Sequence, residues 1–115
     1  DGTCIRDYIY VVDLAKAHVA AMARVLDKET DKIEYFNIGT GSGNSTLEIV
    51  TTFEKATGVK VNWKFGPRRE GDIEKIWGDC TKANKVLGWK ADTPLADVLA
   101  TAWKWQEKLR EDGVM

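Results

Sequence analysis

The sequence predicts an α/β fold in which short strands alternate with helices. Residues 5–12 and 33–38 are rich in β-branched and aromatic side chains, which is typical of strands. Residues 59–65 alternate strictly between apolar and polar side chains, the pattern of a half-buried strand. Between these segments, apolar residues recur at helical spacing over residues 13–26 and 45–57.

The first two predicted helices have recognisable ends. Asp13 is expected to cap the first helix, which runs to about Leu26 and is apolar around most of its circumference. A helix of this kind needs cover on more than one side. Ser45 and Glu48 match a capping box at the start of the second helix, and Gly58 is expected to end it.

Two further helices are predicted later in the chain. A short one starts at Asp79 or Thr81, and Thr93 is expected to cap the last, with Pro94 at its first position. His18, on the apolar side of the first helix, is interpreted as a buried packing residue. The late tryptophans are expected to pack in the core. They are Trp77, Trp89, Trp103 and Trp105.

Composition excludes several classes of function. The chain has 115 residues, with 17 Lys and Arg against 18 Asp and Glu, giving a net charge of −1. This balance argues against a nucleic-acid or membrane-surface partner, which needs a basic field, and no apolar run approaches the ~20 residues of a membrane span. Cys4, Cys80 and the single histidine fit neither a disulfide framework nor a metal motif. We therefore expect reduced thiols, no metal site and a cytoplasmic location.

A glycine-rich loop lies between the second predicted strand and the second helix. Its glycines at positions 39, 41 and 43 occupy the place where dinucleotide-binding folds hold phosphate. The fingerprint G-x-G-x-x-G, however, would require glycine where this chain has Asn44, and no acidic residue follows about 20 residues later. We interpret this loop as a flexible connection into a capped helix, with no cofactor-binding residue.

Arginine placement suggests a second kind of site. Arg6 lies in an extended segment, while Arg68, Arg69 and Asp72 lie in a charged loop. A guanidinium can donate two parallel hydrogen bonds to a phosphate, and a carboxylate can accept from a sugar hydroxyl. From these residues alone, ion pairs of the arginines with Glu70 and Asp72 are the simpler interpretation. A single histidine supports no Ser/His/Asp or Cys/His catalytic set.

Longer motifs resemble the UDP-glucose 4-epimerases of the extended short-chain dehydrogenase/reductase superfamily. The matching stretches are residues 1–3, 6–15, 35–41, 44–45, 68–72, 82–83, 87–89 and 103–106, together with His18. The resemblance therefore runs through the whole chain in order, with Tyr10, Gly78 and Cys80 as departures. It implies that residues 1–115 are a single carboxy-terminal, substrate-binding portion of a Rossmann-type fold.

Two motifs of that family are missing from this chain. The family carries the fingerprint G-x-x-G-x-x-G, and a Tyr-x-x-x-Lys pair with its Ser or Thr, in an amino-terminal Rossmann portion. Here no tyrosine is followed by lysine four residues later, and the glycine pattern does not occur. The resemblance thus implies that this chain holds no catalytic residue, and that NAD is bound by an amino-terminal portion absent from it.

The resemblance also implies which residues contact substrate. Arg6 and Arg69 would grip the diphosphate of a UDP-sugar, Asp72 would bond the uridine ribose, and Tyr8 would lie near the nucleotide. The implied activity interconverts UDP-glucose and UDP-galactose through a 4-keto intermediate formed with NAD, while the fragment alone is expected to be inactive. The parent enzyme is expected to be a homodimer. Because the apolar first helix would leave an exposed patch, the fragment is expected either to self-associate, with swapped elements as one route, or to have low stability.

Two alternatives stay open from the sequence. The chain could belong to another nucleotide-sugar enzyme of the same superfamily, such as a dehydratase, a decarboxylase or a 5-epimerase. It could also be a non-catalytic module that binds a nucleotide or a protein. The sequence does not specify which UDP-hexose is used, nor whether N-acetylated sugars are accepted.

Overall fold

The computed structural model describes residues 1–114, which form four helices and one two-stranded sheet. In chain order the elements are β1 (Ile5–Arg6), α1 (Val11–Leu26), β2 (Asn44–Ser45), α2 (Thr46–Thr57), α3 (Thr81–Val86) and α4 (Leu95–Glu111). β1 and β2 are antiparallel, with Ile5 opposite Ser45 and Arg6 opposite Asn44. The chain is thus a helix-rich α/β structure. Its small sheet joins the segment before α1 to the segment before α2.

The predicted strands are shorter than expected or unpaired. Of residues 5–12 only β1 is paired, and α1 already begins at Val11. Within residues 1–114, neither 33–38 nor 59–65 forms a ladder with another strand. Ile5 makes one further bridge, to Lys75, in which its amide donates to the Glu74 carbonyl at 3.0 Å. Strand propensity alone forms no ladder, because each backbone donor and acceptor needs a neighbouring strand.

Two predicted helix caps have other roles. Asp13 was expected to cap α1, but it lies inside the first turn and is buried. Its carboxylate accepts from the Thr93 amide at 3.3 Å, and its carbonyl accepts from the Trp89 indole N–H at 2.8 Å. Thr93 is likewise not a cap, since α4 begins at Leu95 after Pro94. Asp13 therefore ties α1 to the segment that leads into α4.

The predicted ends of α2 are confirmed. The Ser45 hydroxyl accepts from the Glu48 amide at 3.0 Å, and the Glu48 carboxylate accepts from the Ser45 amide at 2.6 Å. Gly58 ends the helix in the left-handed conformation, with φ 73°. α2 packs against α4, where Phe53 and Trp103 meet edge to face with ring centroids 5.6 Å apart.

The hydrophobic core is small. Its buried members are Ala17, Cys80, Ala83, Trp89 and Ala91. Of the late tryptophans only Trp89 is buried, whereas Trp77 and Trp105 are 47% and 61% exposed, so their predicted burial was wrong. The predicted burial of His18 was wrong as well, because this residue is exposed, with its ring hydrogen-bonded to the Leu14 carbonyl at 2.9 Å.

The chain leaves more surface in solvent than a self-contained domain does. Its accessible area is 8669 Å², against roughly 6300 Å² for a folded monomer of this mass. Its radius of gyration is 17.4 Å, against about 13 Å for a compact domain of this length. Part of the exposed area is one apolar surface, which we call the outer face of α1. Its residues, 58% to 72% exposed, are Val11, Val19, Met22, Val25 and Leu26.

Within residues 1–114, every helix falls short of the length and apolar character that crossing a membrane requires.

Candidate functional site

Three of the four predicted site residues lie together. The Asp72 carboxylate faces the Arg69 guanidinium, with Oδ2 3.1 Å from Nε and Oδ1 3.4 Å from Nη2. The same Oδ1 lies 3.9 Å from Nη2 of Arg6. We call these three residues the ligand cluster. The structure therefore joins positions that stand more than sixty residues apart in the sequence.

The backbone fixes where these side chains start. Arg6 ends β1, pairs with Asn44 and donates from Nη1 to the Ile5 carbonyl at 2.9 Å. Arg69 and Asp72 lie on one turn, in which the Asp72 amide donates to the Arg69 carbonyl at 3.3 Å. Gly71 completes this turn at φ 80°, a conformation that glycine adopts without steric cost.

The ion pairs within the ligand cluster are weak enough for an anionic ligand to displace them. Asp72 pairs with both arginines, and its pairing with Arg69 is the one that the spacing of acids and arginines predicted. The Arg69 side chain is 85% exposed, whereas that of Arg6 is 31% exposed. An exposed pair of this kind is worth about 0–1 kcal/mol. A diphosphate, which carries more negative charge than one carboxylate, can therefore compete for both guanidinium groups.

Tyr8 lies outside the ligand cluster. It follows Arg6 by two positions and is 37% exposed. Its hydroxyl forms no hydrogen bond with any residue in the part of the chain that the structure describes. Of the four predicted site residues, it is the one that the structure does not bring together with the rest.

A cavity of about 350 Å³ adjoins the ligand cluster and includes Arg69 and Asp72 in its wall. This volume is within the range of small-molecule sites. Trp63 and Phe65 meet edge to face at its rim, with centroids 5.2 Å apart. Both were predicted to face inward from a strand, but they are 44% and 65% exposed. The alternating pattern of residues 59–65 singled out these two aromatics as apolar positions, but it did not predict that they border a cavity.

Arg68 contributes to the cavity wall in a different way from its neighbour. Its guanidinium donates to the Gly2 carbonyl at 3.1 Å and contacts the Cys4 sulfur at 3.4 Å. It therefore ties the first residues of the chain to the charged loop.

The glycine loop binds a carboxylate from within the chain. Asp7 accepts from the Thr40 hydroxyl at 2.6 Å and from the Thr40 amide at 3.0 Å. It also accepts from the amides of Gly41 and Gly78, each at 3.3 Å. We call this arrangement the Asp7 hub. Burial raises the pKa of Asp7, but these hydrogen bonds outweigh it and hold the pKa below its ordinary value of 3.8.

The Asp7 hub corrects our interpretation of the glycine loop as a flexible connection. A side chain at Gly39 would overlap the Asp7 carboxylate, so the close approach of the loop to Asp7 depends on glycine. The Thr40 and Gly41 amides, which a cofactor phosphate would need, already donate to Asp7. This loop therefore does not fit the phosphates of a dinucleotide.

Both cysteines are free thiols, and Cys80 is buried. Burial raises the pKa of the Cys80 thiol, and the nearby charges of Asp7 and Asp79 raise it further. Cys80 is therefore held as an unreactive thiol. Across residues 1–114, no three His, Cys, Asp or Glu side chains are grouped so that they could hold a metal ion.

Comparison with known proteins identifies nucleotide-sugar enzymes. Residues 1–102 match the family described as GDP-mannose 4,6 dehydratase. The chain is 47% identical over 108 residues to the UDP-glucose 4-epimerase of Yersinia pestis, covering 94% of this chain and 31% of that protein. It is 46% identical over 106 residues to the UDP-glucose 4-epimerase of Bacillus subtilis, covering 92% of this chain and 31% of that protein.

Solved structures give the same result. The UDP-glucose 4-epimerase of Stenotrophomonas maltophila, solved with NAD and formylated UDP-arabinopyranose, matches 97% of this chain and 33% of its own, with TM-score 0.92 and 43% identity. That of Bifidobacterium longum, solved with NAD⁺ and UDP, matches 94% of this chain and 31% of its own, with TM-score 0.83 and 45% identity. The chain thus spans about a third of the length of the relatives it matches.

These matches confirm the resemblance to the UDP-glucose 4-epimerases and the Rossmann-type fold class of the extended short-chain dehydrogenases/reductases. A family match over residues 1–102 covers most of the sequence. The chain therefore belongs to the GDP-mannose 4,6 dehydratase family.

Proposed function

We propose that this chain is the carboxy-terminal, substrate-binding part of a UDP-glucose 4-epimerase, and that it holds the UDP side of the substrate. The longer enzyme would interconvert UDP-glucose and UDP-galactose through a 4-keto sugar. The observation that carries this proposal is the ligand cluster, in which Arg6, Arg69 and Asp72 meet beside a cavity of about 350 Å³. These three positions match the motifs that the chain shares with the epimerases.

The ligand cluster would act by positioning the substrate. Arg6 and Arg69 would donate to the diphosphate, while Asp72 would leave its ion pairs and accept from a ribose hydroxyl. A 4-epimerase must present both faces of its keto sugar to one hydride donor, so the sugar turns while the nucleotide stays fixed. A firm grip on the diphosphate therefore supplies the orientation that this step needs.

The cofactor chemistry would lie outside this chain. NAD, when bound, supplies hydride transfer, and we propose that an amino-terminal Rossmann portion binds it together with the catalytic Tyr, Lys and Ser or Thr. In this chain, the glycine loop donates its amides to Asp7 and does not fit NAD. We accordingly expect residues 1–115 alone to have no epimerase activity.

The exposed apolar surface supports a proposal about partners. The outer face of α1 is 58% to 72% exposed, and apolar patches of this kind mark interaction sites. We propose that the amino-terminal portion covers this face in the longer enzyme, which acts as a cytoplasmic homodimer. The chain by itself would cover the face by self-association.

The coding sequence upstream of Asp1 tests the identity of the longer enzyme. We expect an in-frame extension that encodes the G-x-x-G-x-x-G pattern and a Tyr-x-x-x-Lys pair, and we expect its full product to convert UDP-galactose to UDP-glucose. A stop codon just before Asp1, or a start codon there, would contradict the proposal and favour a non-catalytic binding module.

Calorimetric titration with UDP tests the ligand cluster. Arg69→Ala removes a charged hydrogen bond worth roughly 1.5–3 kcal/mol, so we expect the dissociation constant to rise about 10- to 100-fold. Arg110→Ala removes the same charge from the last turn of α4 and should change it less than about twofold. Equal losses of UDP affinity in the two variants would mean that UDP is attracted only by the general positive charge of the chain and not by Arg69 specifically.

A second candidate follows from the family match itself. The family is described by a 4,6 dehydratase, and a dehydratase would use the same grip on a nucleoside diphosphate. Product analysis of the full-length enzyme separates the two, because an epimerase conserves the hydroxyl groups of the sugar and a 4,6 dehydratase eliminates water.

A further inference from the structure

We propose that Asp7 is a positioning residue that sets Arg6 for the diphosphate, with Thr40 as its main partner. This inference rests on the proposed function and deepens it. Asp7 stands directly between the two residues that would meet the nucleotide. Its side chain points away from the ligand cluster into the Asp7 hub, so it would act through its neighbours and not by contact with substrate.

The Asp7 hub joins three distant segments at one carboxylate. The Thr40 hydroxyl and amide donate at 2.6 Å and 3.0 Å, and the Gly41 and Gly78 amides donate at 3.3 Å. These donors stand 33, 34 and 71 positions from Asp7. A carboxylate held by so many donors has few orientations left, and this restricts the backbone on either side of it.

The backbone on the Arg6 side is held a second time. Arg6 pairs with Asn44 in the two-stranded sheet, and the preceding residue, Gly43, lies close to β1. A side chain at Gly43 would overlap the Ile5 side chain and lie 3.7 Å from the Arg6 carbonyl. The glycine loop therefore touches the ligand-binding segment at both ends, through Gly43 at β1 and through Thr40 at Asp7.

The Tyr8 side is held by packing, because the neighbouring Ile9 is partly buried against the hydrophobic core. Tyr8 is 37% exposed, and α1 begins three residues later, at Val11, without a side-chain cap. The Asp7 hub restrains the short connection between β1 and α1 by hydrogen bonds, in addition to the packing of Ile9. Ordering this connection before the ligand arrives spares part of the entropy that binding would otherwise cost.

The test compares UDP with uridine, which lacks the diphosphate. A positioning role for Arg6 concerns the diphosphate, so loss of the Asp7 hub should weaken UDP binding and leave uridine binding unchanged. We would titrate both ligands calorimetrically into the wild-type chain and into Asp7→Asn, Thr40→Val and Thr40→Ser. Circular dichroism would establish that each variant is folded.

We expect about tenfold weaker UDP binding in Asp7→Asn and about threefold weaker binding in Thr40→Val, since each loses hydrogen bonds of ordinary strength. Thr40→Ser keeps the hydroxyl and should restore the wild-type value. Uridine binding should change less than twofold throughout. Thr40→Val keeps the bond from the Thr40 amide to Asp7 and removes only the hydroxyl, with its bonds to Asp7 and Ser42, so it tests the inference if Asp7→Asn does not fold.

Three results would overturn the inference. Unchanged UDP binding in Thr40→Val and Asp7→Asn would show that the Asp7 hub does not affect the site. Parallel losses for UDP and uridine would show that it only supports the fold. Loss of all binding already in the wild-type chain would instead reject the proposed function, and the inference with it.

Discussion

The two sides of α1 differ in how far other segments of the chain bury them. On the inner side, Asp13 and Ala17 are buried beneath Trp89 and Ala83, and the Trp89 indole donates to the Asp13 carbonyl at 2.8 Å. The outer face is equally apolar in sequence, yet its side chains are 58% to 72% exposed. Helical periodicity thus shows which residues need to be packed against another segment, but it does not show which segment packs on them.

On the inner side of α1, substitution of Trp89 is expected to cause the largest loss of stability. Trp89→Ala empties the largest part of a small core and removes the bond to Asp13, so we expect a loss of about 3–5 kcal/mol in the free energy of unfolding. That is a large share of the total stability of an ordinary domain, about 5–15 kcal/mol. Chemical denaturation measures this loss. Trp105→Ala, at a side chain 61% exposed, should cost less than about 0.5 kcal/mol, and comparable losses would contradict this account of the core.

The outer face is tested by adding charge. Val19→Lys with Val25→Glu keeps the net charge and removes two apolar contacts worth about 1.5 kcal/mol each, so self-association should weaken up to about 100-fold. Sedimentation equilibrium measures it. Ala96→Lys with Ala102→Glu makes the same change at the same spacing on exposed positions of α4 and should leave association unchanged. A wild-type chain that stays monomeric at high concentration would contradict the expectation.

A smaller effect is expected at the glycine loop. Gly39→Ala places a methyl group onto the Asp7 carboxylate, and we expect about 1–3 kcal/mol of destabilisation from this overlap. Gly66→Ala enters open space at an ordinary φ and should instead stabilise by about 0.4–1 kcal/mol through the unfolded state. Thermal unfolding of the two variants measures the difference. Equal effects would mean that the loop moves away from Asp7 without cost.

The smallest effect concerns pH. Burial works against ionisation of Asp7, but its hydrogen bonds to Thr40, Gly78 and Gly41 lower its pKa from 3.8. The unfolded chain therefore binds the proton first, so the stabilising contribution of Asp7 is present above pH 3.8 and is lost as the pH falls through the folded value. Denaturation at a series of acid pH values should show a shallower decline for Asp7→Asn than for the wild type. Identical slopes would contradict the role of these bonds.

Local interactions were predictable from the sequence, and distant ones were not. The capping box of Ser45 and Glu48 and the left-handed Gly58 depend on residues a few positions apart, and the structure confirms them. Asp13 and Thr93 each looked like a cap, but they bond to one another across 80 positions. No periodicity or propensity reports a partner at that distance.

The same distinction holds at the candidate site. The pairing of Arg69 with Asp72 follows from their spacing, whereas the approach of Arg6 could be expected only from the resemblance to the epimerases. Asp7 was not predicted as a hub, because its donors are mostly backbone amides, which the sequence does not distinguish. The segment 33–38 has strand character but no strand partner within residues 1–114, so its propensity predicted a ladder that the described chain cannot form.

The central claim is that this chain binds the diphosphate of UDP through its ligand cluster and not through its glycine loop. A titration of the isotope-labelled chain with UDP, followed by the chemical shifts of its backbone amides, tests it most directly. We predict concentration-dependent shifts at Arg6, Tyr8, Arg69 and Asp72, with smaller changes at residues 39–43. Shifts centred on residues 39–43, or no shifts at millimolar UDP, would contradict the claim.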